Sequence, residues 1–187
     1  MKSLFAMIGI GISALTISAC ATDDPATDDP ATADSGDSGP ETVAGVIAAN
    51  PGAMQVGPNE VQLEDGVSVI VPSAGGRLHP DSVSGRCTNG NLCLFEDNNF
   101  HGQFLHLSGP CRMVDLRTRF RAVGLPWSNA VSSIDNPAPG SGPARFYNNG
   151  RFMLALLKGH YLRDLSQDSS ADGGNANDKI DTVRTCP

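Results

Sequence analysis

The sequence predicts an all-β protein in which two Greek-key motifs pack face to face as a sandwich. The chain has 187 residues with 21 glycines and 13 prolines but only 18% charged residues, a composition that disfavours a helix bundle. Apolar and polar residues alternate, as in Phe104-Leu105-His106-Leu107, which is the period of a strand. The C-terminal half also repeats itself, which indicates two copies of one supersecondary unit.

Residues 1–19 have the features of a signal peptide. Lys2 precedes an apolar run from Leu4 to Ile17, which is too short to span a membrane. The run ends in Ile17-Ser18-Ala19-Cys20, which resembles the bacterial lipoprotein signal, whose cysteine is lipidated before cleavage. We therefore expect an exported protein that a lipid on Cys20 anchors to a membrane. The alternative is an ordinary secretory signal and a secreted product.

Residues 20–42 are predicted to be a disordered acidic tether. Ala-Thr-Asp-Asp-Pro occurs at 21–25 and again at 26–30, and the segment contains seven acidic residues and no basic one. Such a composition cannot bury enough apolar surface to offset the entropy of the chain. An acidic interaction tail is the alternative. The rest of the chain is nearly neutral, so no basic surface is expected and we predict no nucleic-acid partner.

Residues 43–85 are predicted to form a short helix and a β-hairpin. The apolar run from Val43 to Asn50 stops at Pro51-Gly52. Two β-rich runs, 61–63 and 67–71, flank Glu64-Asp65-Gly66, and Asp-Gly favours a tight turn. The pattern leaves open whether this extension packs on the domain that follows.

The domain is predicted over residues 86–187, with Greek keys at about 87–135 and 144–186. An offset of 49 residues aligns identical residues in four pairs: Leu105 with Leu154, Leu107 with Leu156, Asp115 with Asp164, and Leu116 with Leu165. Upstream, Phe95 and Gly102 match Phe146 and Gly150 if the second hairpin is the shorter one. One copy is too small to bury a core, so we expect the pair to fold as one unit.

Three segments of the repeat resemble βγ-crystallin Greek keys. In residues 91–102, Phe95 precedes Gly102 by seven positions, as in the opening hairpin of those motifs, where an aromatic ring lies against a glycine. Residues 127–134 and 177–183 are similar to the later element of the motif. The resemblance implies a βγ-crystallin-like sandwich.

The spacing of Cys87 and Cys93, followed by Leu94-Phe95, is similar to that of exported actinobacterial peptidase inhibitors with this fold, the Streptomyces metalloproteinase inhibitor type. The resemblance implies a rigid loop that blocks an extracellular protease, with metalloproteases among the candidates. The family's loop lies in the second Greek key beside a cysteine pair, which is absent here, so the inhibitory loop is unassigned. Residues 117–126 and 167–175 are long enough. The alternative is a calcium-stabilised structural or cell-envelope module without inhibitory activity.

Four cysteines follow the tether and are predicted to form two disulfides, since the chain is exported and their number is even. Of the three connectivities we favour Cys87–Cys93 and Cys111–Cys186. The first closes the entrance to a strand, and the second joins the first Greek key to the C-terminus. In the loop-entropy model they contribute about 2 and about 4 to 5 kcal/mol. Zinc is the competing use, but paired Cys-x-x-Cys motifs are absent.

Calcium is the candidate ligand that the resemblance implies, because the serine-rich element of βγ-crystallins can bind it through six to eight oxygens. The matching residues are Asn129 and Ser132 in the first copy and Asn177, Asp178 and Asp181 in the second. The alternative is that Ser132, Ser133 and Thr182 join a loop to a strand.

Motifs that mark enzymes are absent from the sequence. It has no Gly-x-Ser-x-Gly, phosphate loop, dinucleotide fingerprint or His-Glu-x-x-His. The histidines are scattered: His79, His101, His106 and His160. We therefore expect a binding protein that is not an enzyme and requires no cofactor.

Overall fold

Two antiparallel β-sheets account for the architecture. The computed structural model describes residues 42–72, 87–88, 90–137, 143–168, 170–171 and 173–185, which belong to one compact unit, Gly36–Pro187. The predicted signal peptide, the lipidation site at Cys20, the tether up to residue 41, His79 and Cys186 lie outside the described residues. Among those described, no helix is long and apolar enough to cross a membrane.

One helix and eleven strands are present in the described part of the chain. They are α1 (Val43–Ala49), β1 (Met54–Gly57), β2 (Glu60–Glu64), β3 (Val67–Ile70), β4 (Leu92–Phe95), β5 (Phe104–Leu107), β6 (Arg112–Asp115), β7 (Ser133–Asn136), β8 (Ala144–Asn148), β9 (Arg151–Leu156), β10 (His160–Leu162) and β11 (Thr182–Thr185). Short 3-10 turns lie at Asn98–Phe100 and Leu116–Thr118.

The two Greek keys exchange their third strands. The first sheet has the order β1-β2-β3-β5-β4-β7-β10 and the second the order β6-β11-β8-β9. Strand β6 of the first copy therefore pairs with β11 of the second, and β10 of the second copy pairs with β7 of the first. This arrangement confirms the predicted all-β, βγ-crystallin-like sandwich.

Strand register corrects one equivalence that the sequence predicted. Phe95 lies opposite Ser133, and Tyr147 lies opposite Thr182. Because Ser133 and Thr182 are 49 residues apart, the counterpart of Phe95 is Tyr147 and not Phe146. Phe146 points the other way and is fully buried in the core. A shift of one residue along a strand reverses the face that a side chain occupies, so residue type alone chose the wrong aromatic.

The second hairpin is shorter than the first, as the repeat predicted. The connection between β4 and β5 spans residues 96–103 and contains a 3-10 turn, whereas residues 149–150 alone connect β8 and β9. Only the first copy therefore has a folded hairpin loop of the length that the aromatic and glycine pattern requires.

The N-terminal extension is continuous with the first sheet. Helix α1 and the β2–β3 hairpin form where the sequence predicted them, and β3 pairs with β5. The Thr42 hydroxyl caps α1 by accepting a hydrogen bond of 3.0 Å from the Gly45 amide. Val46 is fully buried in the main core. Residues 43–71 are thus part of the folded domain.

The core lies between the two sheets and contains the tryptophan. Trp127 is fully buried and Phe104 is 1% exposed, so both side chains belong to the interior. The aromatic rings of the first hairpin pack together, with Phe95 and Phe100 5.4 Å apart at an angle of 62°. Because the buried Trp127 directly follows residues 119–126, the core holds one end of that loop in place.

Candidate functional site

The loop of residues 119–126 is folded back on itself by its own backbone, and its tip, residues 123–125, is exposed. Phe120 and Pro126 form an isolated β-bridge. The Arg121 amide donates to the Leu125 carbonyl at 2.8 Å, and the Gly124 amide donates to the Arg121 carbonyl at 2.9 Å. Gly124 has a φ of 75°, which a residue without a side chain adopts at little cost. The tip of the loop is therefore a closed turn.

Both arginines of this loop are bound by carboxylates from other elements. Arg119 lies 2.6 Å from Glu64 at the end of β2, and Arg121 forms an ion pair with Glu96, which follows β4. The side chains of the Arg121–Glu96 pair are only 15% and 17% exposed. Both guanidinium groups are therefore already paired with carboxylates of the same domain.

The apolar side chains of the tip point to solvent. Val123 is 37% exposed and Leu125 is 54% exposed. Beneath them, the Ala122 amide donates to the fully buried Gln103 side chain at 3.2 Å. The loop therefore presents aliphatic groups on a backbone that the domain supports from below, an arrangement that suits insertion into a cleft of another protein.

The second candidate loop, residues 167–175, exposes small or polar residues, among them Gln167, Ala171 and Asn175, and no large aliphatic side chain among its described residues. Residues 169 and 172 lie outside the described residues. Ser170 is 5% exposed and both its amide and its hydroxyl donate to the Gly174 carbonyl, at 2.7 and 2.8 Å. The Ala171 amide donates to the Met153 carbonyl at 2.8 Å, which holds this loop against β9. The 119–126 loop is the better candidate for contact with a partner.

A polar cleft of about 450 Å³ collects some of the residues predicted to bind calcium. It is lined by Asp97, Asn98, His101, Ser132, Asp164, Ser166 and Asn177. Asp178 adjoins these residues: the Ser132 hydroxyl donates to one carboxylate oxygen at 3.3 Å, and the Asn177 amide donates to the other at 2.5 Å. The structure thus brings together Ser132, Asn177 and Asp178.

The carboxylate of Asp178 is electrostatically perturbed. Burial raises its pKa, the hydrogen bond from Ser132 and the charge of Arg121 lower it, and the charge of Asp97 raises it, so that the net shift is upward. No group of three or more histidine, cysteine or acidic side chains in the described residues has a metal-binding arrangement. Any cation in this cleft would therefore depend on amide, hydroxyl and carbonyl oxygens as well as carboxylates.

The other two residues predicted to bind calcium do not line this cleft. Asp181 is 4% exposed, and one of its carboxylate oxygens accepts a hydrogen bond of 2.6 Å from the Asn149 amide. The Asn129 amide donates to the carbonyl of Ile180 at 2.9 Å. The predicted set is therefore divided between two places.

Ser133 joins the last strand of the first copy to its opening hairpin. Its hydroxyl donates to the Asp97 carbonyl at 2.6 Å and accepts from the Phe100 amide at 3.0 Å. The side chain is fully buried. Ser133 therefore joins a loop to a strand, which is the alternative to calcium binding that the sequence offered at this position.

One of the two predicted disulfides is present. Cys87 and Cys93 are bonded, with their Cα atoms 5.8 Å apart. Cys111 is also in a disulfide, and its predicted partner Cys186 lies outside the described residues. In the β6–β11 ladder, Thr185 pairs with Arg112, and these residues adjoin Cys186 and Cys111 in sequence. The Cys111–Cys186 bond stays a prediction that this register favours.

Sequence reasoning missed the residues that support the loop. Asn50, Glu64, Glu96 and Gln103 all contact residues 119–122, yet they are separated from the loop by at least one strand. The only signal was the polar residue Asn50 at the predicted end of a helix. Long-range contacts of this kind leave no mark in local periodicity.

These features define a βγ-crystallin-like domain whose 119–126 loop has an exposed tip and a supported base. Residues 82–153 match the model of peptidase inhibitor family I36. The match confirms the resemblance to such inhibitors. It includes the Cys87–Cys93 disulfide and the whole 119–126 loop, and it bears out the expectation that the chain is not an enzyme.

Comparison with individual proteins adds one fold neighbour. A solved structure described as "Evolution of the eye lens beta-gamma-crystallin domain fold" is similar to this chain at 23% sequence identity and a TM-score of 0.40. The alignment covers 63% of this chain and 94% of that one. No curated protein matches the chain.

Proposed function

We propose that this protein inhibits an extracellular peptidase by placing the 119–126 loop in the active-site cleft. The observation that carries the proposal is the exposed, internally bonded tip within a segment that matches a family of peptidase inhibitors. A loop that is already ordered loses little conformational entropy on binding. Its ends are held by the β-bridge of Phe120 and Pro126, so a cleaved loop would also stay in place.

The side chains of the tip favour a peptidase that accepts aliphatic residues. Val123 and Leu125 are exposed, whereas Arg119 and Arg121 are bound to carboxylates of the same domain. A pocket that requires a positive charge would have to break one of these ion pairs. We therefore propose a target with an apolar specificity pocket, and metalloproteases of that preference are the first to test.

The test is a titration of purified peptidases with the oxidised chain from residue 21 onward. The panel contains a thermolysin-type metalloprotease, a subtilisin-type protease and trypsin, and residual activity is measured at stoichiometric ratios. We expect stoichiometric loss of activity for an enzyme with an apolar pocket and none for trypsin. No loss against any enzyme of the panel would contradict the proposal.

Matched variants locate the contact. Leu125→Asp is expected to raise the inhibition constant at least ~100-fold, because it removes an apolar anchor and introduces a charge into the cleft. Leu157→Asp is the control, because Leu157 lies outside the loop and is similarly exposed, at 59% against 54% for Leu125. Thermal unfolding of both variants checks that the fold is kept. Equal effects of the two substitutions would exclude this loop as the inhibitory one.

A calcium-stabilised structural module is the second candidate, and the cleft beside Asp178 favours it. The Ser132 hydroxyl and the Asn177 amide contact that carboxylate, and Asp97 lines the same cleft. Calcium is then expected to raise the melting temperature of the wild type and to leave that of Asp178→Asn unchanged. Asp65→Asn is the control. Magnesium at the same concentration separates a specific site from general screening.

We also propose that the chain is exported and anchored through Cys20. The support is the apolar run that ends in Ile17-Ser18-Ala19-Cys20. In a bacterial host, the wild type is expected in the membrane fraction and Cys20→Ser in the soluble fraction. Mass spectrometry of the N-terminal peptide tests for the lipid directly. An unmodified cysteine would favour a secreted product.

A further inference from the structure

We infer that the N-terminal extension is part of the inhibitory device, and that its residue Asn50 positions the 119–126 loop. The inference rests on the proposed function and assigns a task to residues 43–71, which lie outside the segment 82–153 that matches the inhibitor family. Three separate contacts support it, made by the Asn50 side chain, the Gly45 backbone and the Glu64 carboxylate.

Asn50 binds the backbone of Phe120 as a neighbouring strand would. Its side-chain amide donates to the Phe120 carbonyl at 2.9 Å, and its side-chain carbonyl accepts from the Phe120 amide at 2.9 Å. The same side-chain nitrogen donates to the Val46 carbonyl at 2.8 Å. Asn50 is only 7% exposed. One side chain therefore connects the last turn of α1 to the base of the loop, 70 residues away.

Helix α1 meets the loop backbone directly at Gly45. A Cβ atom on this residue would lie 2.6 Å from the Ala122 carbonyl oxygen, which is closer than any real contact allows. Glycine disfavours a helix, so its place inside this short helix is explained by the close approach of the two backbones. The buried side chain of Val46 holds the helix in that position.

Strand β2 supplies the third contact. Glu64 at its end lies 2.6 Å from Arg119, next to Phe120. A small cavity of about 100 Å³ between the two segments is lined by both of them, including Asn50 and Leu63 from the extension and Thr118 from the loop side. Contacts from a helix, a turn and a strand leave the loop no single hinge about which to move.

The position of Phe120 explains why these contacts matter for inhibition. Phe120 and Pro126 bridge the two arms of the loop, so fixing both polar groups of Phe120 fixes the direction of both arms. A peptidase cleaves a mobile loop as a substrate, whereas a loop already held in its bound shape stays in the cleft. Asn50 thus acts through Phe120 and needs no contact with the peptidase.

The test compares Asn50→Ala, Asn50→Asp and the wild type of the same chain. Hydrogen exchange of the amides of residues 120–125 is measured together with the inhibition constant and the rate at which the loop is cleaved. Loss of the Asn50 bonds is expected to speed exchange about tenfold and to raise the inhibition constant by a similar factor. Asn50→Asp keeps the acceptor for the Phe120 amide but turns a carboxylate oxygen towards the Phe120 and Val46 carbonyls, so its loop should exchange at least as fast as that of Asn50→Ala. Asn59→Ala, in the same extension, is the control.

A second variant keeps the inference testable if Asn50→Ala unfolds. Gly45→Ala favours the helix but places a methyl group against Ala122, so exchange in the loop should increase although α1 is strengthened. Unchanged exchange of residues 120–125 in both variants would overturn the inference, even for a wild type that inhibits. A wild type that inhibits no peptidase would overturn the proposed function instead, and the exchange data would still decide whether Asn50 holds the loop.

Discussion

Asn129 and Asp178 occupy matching positions in the two Greek keys, and the backbone amide of each bonds to the other copy. Both residues have a left-handed backbone conformation, with φ of 58° and 51°. The Asn129 amide donates to the Ile180 carbonyl at 2.9 Å, and the Asp178 amide donates to the Val131 carbonyl at 3.2 Å. The two donors are 49 residues apart and so are the two acceptors, so the two bonds obey the pseudo-twofold symmetry of the repeat.

The charge of Asp178 gives the first prediction. Burial raises the pKa of this carboxyl group in the folded protein, so its ionisation destabilises the fold above that pKa and has no effect below the lower pKa of the unfolded chain. Asp178→Asn should therefore increase the free energy of unfolding at pH 7 and leave it nearly unchanged at pH 3. Urea unfolding at both pH values measures this. A larger gain at pH 3 would contradict the assignment.

Two glycines with the same backbone angle but different surroundings give the second prediction. Gly102 and Gly150 have φ of 73° and 74°. A Cβ on Gly102 would lie 2.8 Å from a carboxylate oxygen of Asp97, whereas a Cβ on Gly150 would meet nothing. Gly150→Ala should cost about 1 to 2 kcal/mol from backbone strain alone. Gly102→Ala should cost more than Gly150→Ala, because the Asp97 carboxylate has to turn away from the new methyl group. Denaturant unfolding of both variants measures the difference, and equal costs would argue against the close contact.

A buried and an exposed ion pair give the third prediction. The side chains of Arg121 and Glu96 are 15% and 17% exposed, whereas those of Arg117 and Asp115 are 57% and 40% exposed. Arg121→Met leaves the Glu96 carboxylate without its cation and should lower the free energy of unfolding by about 2 to 3 kcal/mol. Arg117→Met should leave it nearly unchanged, as for most exposed ion pairs. Thermal and urea unfolding test this, and the opposite ranking of the two variants would refute it.

The disulfides give the fourth prediction. Non-reducing peptide mapping should recover Cys87 with Cys93 and Cys111 with Cys186. Because the second bond closes a much longer loop, Cys111→Ser should lower the free energy of unfolding by about 4 to 5 kcal/mol and Cys87→Ser by about 2 kcal/mol. Recovery of Cys186 as a free thiol, or equal losses in the two variants, would show that the C-terminal strand is not tied in this way.

The repeat could be recognised from the sequence because equivalent loops of the two copies need similar residues to adopt the same backbone conformation. The 49-residue offset aligns Leu116 with Leu165 and Asn129 with Asp178 in the sequence. It failed at Phe95, whose partner is Tyr147, because the shorter second connection hides the register. For the site, the sequence supplied the first disulfide and two candidate loops, one of which contains the loop that we propose to be inhibitory.

What the sequence could not supply is the support of that loop. The bond of Asn50 to Phe120 joins segments that share no local period. The proposed calcium ligands were also grouped by motif position, whereas the structure separates Asp181 and Asn129 from the cleft beside Asp178. Three-dimensional proximity, and not residue type, decides both cases.

The exchange of β6 and β10 between the sheets bears on how such a domain arises. A chain with a single Greek key would lack the strand that its own sheet receives from the other copy, and it would present an open edge. Two identical short chains would complete each other and form a symmetric homodimer, whose stability would depend on their concentration. Joining the copies in one polypeptide removes that dependence, so the domain can fold at any dilution.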